Sequence, residues 1–154
     1  MELTDAYKAL GQSRFESLVG AVSIGALKTY SVYESFKVRI HLTKLNRQRL
    51  RRAAPRLWDR ISDGDGDLAR DFAQAVLVSN IDLIVNVLDF LEIPHDGNGF
   101  FDKDADPGEK LSDGWQQRVF DKFREGNTPE VVLLYINHLG WEMDKLDEPF
   151  TGEA

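Results

Sequence analysis

The segment from Leu68 to Ile93 constrains this chain most. After Gln74 its polar side chains are confined mostly to Ser79, Asp82, Asn86 and Asp89, spaced 3, 4 and 3. On a helix of 3.6 residues per turn that spacing makes one narrow polar stripe on an otherwise apolar cylinder. Such a helix has to be covered on most sides by other elements. Pro94 stops it, and at 1.5 Å per residue it would be about 40 Å long, the spine of a small bundle. The polar residues within it exclude an ordinary membrane span.

The flanking sequence supplies the covering helices. Thr4 is a candidate cap for a helix from Asp5 to about Val22, with Tyr7, Phe15, Leu18, Val19 and Val22 largely on one face and Gly11 as its weak point. Ser23 offers a second cap, for a helix through Leu27, Tyr30, Tyr33, Phe36 and Ile40. Over residues 36–42 the alternation of Val38, Ile40 and Leu42 with Lys37, Arg39 and His41 also fits a strand. Helix is preferred because the surroundings are helical and no convincing second strand exists to pair with it. Thr43 is a third cap, ahead of the stripe Leu50, Ala53, Ala54, Leu57, Trp58 and Ile61, with a kink or restart expected at Pro55. Asp65 or Asp67 can cap the spine.

Beyond it, His95–Gly114 reads as a long Gly- and Asp-rich loop pinned by Phe100 and Phe101. Ser112 precedes a helix carrying Trp115, Val119, Phe120 and Phe123, closed by Gly126. Thr128-Pro129-Glu130 starts a last helix on Val132, Ile136, Leu139, Met143 and Leu146. The expected fold is all-α: a single-domain bundle of five to six helices over residues 1–148 around the central helix at about 67–93, with a loose tail at 149–154. At 154 residues and 42% hydrophobic, one domain has enough apolar material for a core.

Charge is strongly polarised. Residues 37–60 hold nine of the 19 Lys and Arg against the single acid Asp59, so this stretch carries +8 and the rest −15, for a net −7. Arg47, Arg49, Arg51, Arg52 and Arg56 form the candidate basic surface. The favoured expectation is that they meet the protein's own acids, Asp63 to Asp71 and Asp96 to Asp113, within the chain or across a symmetric interface. An acidic protein partner ranks second. Nucleic acid ranks last, because no aromatic interleaving or groove-reading motif accompanies the arginines.

No catalytic signature is present. The chain has no cysteine, which removes thiolate chemistry, disulfides and zinc ribbons, and the usual phosphate-loop and nucleophile-elbow patterns are missing. Asp102, Asp104, Asp106 and Asp113 occupy positions 1, 3, 5 and 12 of a frame that resembles the EF-hand loop. Pro107 stands where its glycine is needed, and no entering helix precedes it. The doublet His95-Asp96 is similar to that of the HD-type metal phosphohydrolases, with His41 and Asp144 as conceivable further ligands. Glu92-Ile-Pro-His95 is the one match to the Glu-x-x-His of carboxylate-bridged bundles, and its proline prevents both groups sharing a helical face. No cofactor is expected. Neither a secretory signal nor a membrane span is read, so the default expectation is a cytoplasmic protein without membrane contact. The first expectation for function is a non-enzymatic interaction or regulatory protein. The alternative is a metal-assisted hydrolase, or a small-ligand or cation binder, using His95-Asp96 and the acidic stripe.

Overall fold

The computed structural model describes residues 1–29, 46–101 and 107–152. Its elements are α1 (Leu3–Leu10), α2 (Gln12–Val19), α3 (Ile24–Thr29), α4 (Arg47–Ser62), α5 (Gly66–Val78), α6 (Ile81–Phe90), a 3-10 turn (Pro107–Lys110), α7 (Trp115–Phe123) and α8 (Pro129–Glu142). The protein is an all-α bundle, and no strand is formed among the described residues. The contested stretch 36–42, the Thr43 cap and His41 lie outside them.

The expected spine is not one helix. It breaks at Ser79–Asn80 into α5 and α6, whose axes are bent by 87°. Asn80 causes the break locally. Its side-chain amide donates to the Val76 carbonyl at 2.7 Å and to the Ala21 carbonyl at 3.2 Å, so it closes the end of α5 and ties it to the segment ahead of α3. Short polar side chains of this kind compete with the helical ladder, and here a tertiary partner lets them win. No single described helix is long and apolar enough to cross a membrane; α5 and α6 have that length and composition only together, bent as they are.

The central position belongs to α8. Val131 through Gly140 are buried without interruption, and α8 packs against α1, α2, α5 and α7. A helix covered all round carries no amphipathic stripe to advertise it. Its start follows the expected Thr128-Pro129 signal, with proline at the first helical position where a missing N–H costs nothing. Leu134, Ile136 and Leu139 are fully buried, each stabilising the fold by about 1.5–3 kcal/mol relative to exposure.

Other boundaries shift for identifiable reasons. The expected first helix is two, because Gly11 takes φ 84° and ψ 163°, outside any helical conformation. The Asp5 carboxylate, not Thr4, holds the start of α1, accepting from the Glu2 N–H at 2.9 Å. Ser23 does cap α3, accepting from the Ala26 N–H at 3.1 Å. Asn46 caps α4 through the Arg49 N–H at 3.0 Å. That helix runs through Pro55 without restarting, since Pro55 sits on the exposed side, where the carbonyl it leaves without a helical partner is open to solvent. Its apolar stripe is buried as expected, apart from Trp58, which is half-buried. Asp65 caps α5. Ser112 does not cap α7 with its side chain; Gly114 precedes that helix at φ 79°, and the Ser112 hydroxyl accepts from Arg118 instead.

Two clusters hold the ends together. Phe15 meets Phe72 at 5.2 Å, Trp58 at 5.6 Å and Tyr7 at 5.9 Å between ring centroids, and the buried Tyr7 hydroxyl donates to the Ala69 carbonyl at 2.7 Å. The C-terminal segment is not loose over the described residues 149–152. Asn137, 1% exposed inside α8, accepts from the Phe150 N–H at 2.8 Å and donates to the Phe150 carbonyl at 2.9 Å. Phe150 then stacks edge-on against Phe120 at 6.0 Å.

Candidate functional site

The acidic stripe is dispersed by the break. Ser79 ends α5, where its hydroxyl accepts from the Ser23 N–H at 2.9 Å and donates to the Ala75 carbonyl at 2.7 Å. Asp82, Asn86 and Asp89 lie exposed on the outer side of α6. Ser79 therefore joins a helix junction, and the other three face away from the core on an exposed helix side.

His95 and Asp96 build a turn. The His95 Nδ1 accepts from the Gly97 N–H at 3.0 Å, which leaves the proton on Nε2 to be donated to Asp89 at 2.6 Å. The Asp96 carboxylate accepts from the N–H groups of Asn98 and Phe100, and a bridge pairs His95 with Phe101. Both ring nitrogens of His95 are thus engaged within the protein. No group of three or more His, Asp or Glu with metal-holding geometry occurs among the described residues. Asp102, Asp104 and Asp106 lie outside those residues. Asp113 is exposed, and its main-chain carbonyl accepts from Arg118 at 2.8 Å. Asp144, the conceivable further ligand named with His41, occupies the turn after α8 at φ 54°.

What the turn does is wall a cavity. Gly99, at φ 90°, lies flat on α6; a Cβ there would stand 3.0 Å from the Ile84 Cγ2 and 3.2 Å from the Ile81 Cδ1. Phe101 packs against the core, whereas Phe100, expected to pin the loop, is 67% exposed at the rim. Between this turn, the α5–α6 elbow and the last turns of α8 opens a pocket of about 360 Å³, within the size range of small-molecule sites. Leu77, Val78, Ile81, Ile84, Phe100 and Phe101 give it apolar walls. Its polar groups are Gln74 and Asn98 together with three side chains of α8 at helical spacing: Tyr135, His138 and Glu142.

Tyr135 is 4% exposed, and its hydroxyl has no hydrogen-bond partner among the described residues. Burial, seconded by the Glu142 carboxylate, pushes its ionisation well above the ordinary tyrosine range, so the phenol stays protonated and available as a donor. His138 sits beside it, 9% exposed, with its ring 5.5 Å from that of Trp141 and its Nδ1 3.7 Å from the Glu142 carboxylate.

These α8 residues were not among the candidates drawn from the sequence. The signal was available: Tyr135, His138 and Glu142 interrupt an otherwise nearly continuous apolar helix at i, i+3 and i+7. The stripe Val132, Ile136, Leu139, Met143 and Leu146 masks it, because that spacing predicts an amphipathic helix, on which polar groups need no explanation.

The arginines of α4 divide into two groups. Arg60 does meet Asp65 in the following loop. Arg47 donates to the Val19 carbonyl at 3.2 Å. The side chains of Arg49, Arg51, Arg52 and Arg56 make no ion pair or hydrogen bond among the described residues, so for these four the expected pairing is not met within the chain. No family model matches the chain, and comparison with curated proteins and with solved structures finds no match.

Proposed function

We propose that this protein binds a small, mostly apolar molecule in the pocket between the α5–α6 elbow, the 95–101 turn and α8. The single observation that carries the reading is the buried Tyr135 hydroxyl, which has no partner among the described residues and belongs to a side chain that lines an apolar-walled cavity. A buried, unsatisfied hydroxyl costs about 1–3 kcal/mol. A ligand bearing an acceptor oxygen would recover that cost on binding. The protonated phenol selects an acceptor such as a carbonyl, and the Glu142 carboxylate disfavours an anionic ligand. The class that fits is a neutral aromatic or branched aliphatic compound with one carbonyl-type oxygen. Its body would contact Leu77, Ile84 and Phe101.

Acetophenone serves as the probe, with isopropylbenzene and benzoate as matched controls. Titration followed by methyl NMR should shift the Leu77 and Ile84 methyls, with a Kd on the order of 1 mM for so small a compound. Tyr135→Phe should weaken acetophenone by about 5–10-fold, the value of one hydrogen bond, and leave isopropylbenzene unchanged. Absence of any methyl shift with all three compounds to about 10 mM would refute the ligand-binding reading.

A further inference from the structure

We infer that the exposed arginine face of α4 is a docking surface for the phosphate backbone of a nucleic acid, engaged without regard to base sequence. The inference is independent of the pocket. It starts from four guanidiniums, those of Arg49, Arg51, Arg52 and Arg56, that have no internal partner among the described residues. Several arginines elsewhere do find polar partners: Arg60 meets Asp65, Arg70 meets Asp67 and Asp71, and Arg118 meets the Ser112 hydroxyl and the Asp113 carbonyl. Leaving four together unpaired on one helix is a local exception in a protein of net charge −7.

The geometry suits a line of anions. Leu50, Ala53, Ala54, Leu57 and Ile61 bury one side of α4, which fixes its rotation and keeps the opposite arc in solvent. Asn46 caps the helix and Arg47 ties its first turn to Val19, so the arginines stand on a held scaffold. Arg49, half-buried at the edge of the arc, and the exposed Arg52 and Arg56 fall at i, i+3 and i+7, a strip about 10 Å long at 1.5 Å per residue. Projected on the DNA axis, that length corresponds to about three phosphates of one strand at 3.4 Å of axial rise each. The guanidinium fork matches phosphate oxygens in pairs, which a lysine ammonium does not.

The composition of the arc separates the possible partners. Its exposed members are Arg47, Gln48, Arg51, Arg52, Pro55, Arg56 and Asp59, with no large apolar side chain. A protein partner normally needs a buried aromatic or aliphatic anchor, and a membrane-surface helix inserts its apolar face, which α4 has already committed to the core. Phosphate-backbone contacts need neither.

The experiment is fluorescence anisotropy of a labelled 20-base-pair DNA duplex with the full chain. Binding is expected in the micromolar range at 50 mM salt. With four phosphates neutralised, the logarithmic salt slope should be about −3.6, a loss of about 150-fold between 50 and 200 mM. The triple variant Arg49→Glu, Arg52→Glu and Arg56→Glu should abolish binding, and the corresponding triple Lys variant should retain a weaker affinity with a similar slope. A control triple, Lys8→Glu, Lys110→Glu and Lys122→Glu, makes the same charge change on other exposed sites and should keep most of the affinity. Circular dichroism verifies that each variant keeps its helix content. The inference is overturned by no binding up to about 100 μM at 50 mM salt, by equal loss in both Glu triples, or by a flat salt dependence. Polyglutamate competing as well as DNA at equal charge would also overturn it, and would assign the face to an acidic protein.

Discussion

Replacing Asn137 by Ala should uncouple the C-terminal segment from the core. Asn137 is the buried polar group on which Phe150 is hung, through one accepted and one donated hydrogen bond at 2.8 and 2.9 Å. At about 1 kcal/mol each these contribute about 2 kcal/mol, and the emptied volume adds about 1 kcal/mol. Truncation after Pro149 loses the same two bonds together with the Phe120–Phe150 edge contact, again about 3 kcal/mol in all. Because the two changes remove the same bonds, the combination should cost about 4 kcal/mol rather than the additive 6. Urea unfolding followed by tryptophan fluorescence measures each corner of the cycle. For a chain of this size the single Ala variant should lower Tm by about 6–12 °C. Additivity of the two changes within about 0.5 kcal/mol would refute the reasoning, since Asn137 and Phe150 would then not be sharing their energy.

Tyr135→Phe should leave stability at neutral pH unchanged or raise it by about 1 kcal/mol, because it deletes an unsatisfied hydroxyl; a clear loss in urea unfolding would show that the hydroxyl is bonded in the free protein. Alkaline stability follows from Tyr7 and Tyr135, whose ionisation is raised by burial. A raised folded pKa contributes stability that is complete below the unfolded value of about 10 and is lost as pH climbs above it, by about 1.4 kcal/mol per pH unit for each group. The stability difference between the parent chain and Tyr135→Phe should therefore change at that rate between about pH 10 and 11.5, and a constant difference would contradict it. Gly99→Ala combines a positive φ with a 3.0 Å approach to Ile84, so it should displace the 95–101 turn, weaken acetophenone binding and cost about 1–2 kcal/mol. Asn80→Leu should cost about 1–2 kcal/mol by removing the two bonds that close α5, read as a lower urea midpoint at an unchanged slope.

Local signals were legible wherever a residue's effect is local. The all-α class followed from the periodicity of Leu50, Ala53, Ala54, Leu57 and Ile61 and its counterparts, since a helical face is written into spacing alone. Asp65 and Ser23 as caps, and Pro129 as a first helical residue, were readable because a cap bonds within three or four residues of itself. The charge polarity of residues 37–60 was equally plain. Tertiary structure decided the rest. Residues 68–93 have the composition of one helix, and only the Ala21 carbonyl, distant in sequence, shows why Asn80 ends it. The central place of α8 depends on which neighbours cover it, a matter of packing that periodicity does not encode once every side is apolar. The pocket assembles Gln74, Gly99 and Tyr135 from three separate segments, and the unpaired state of Arg49, Arg51, Arg52 and Arg56 among the described residues depends on where the acids went. Spacing along a chain reports which side chains share a face; which faces meet is set by the closure of the whole core.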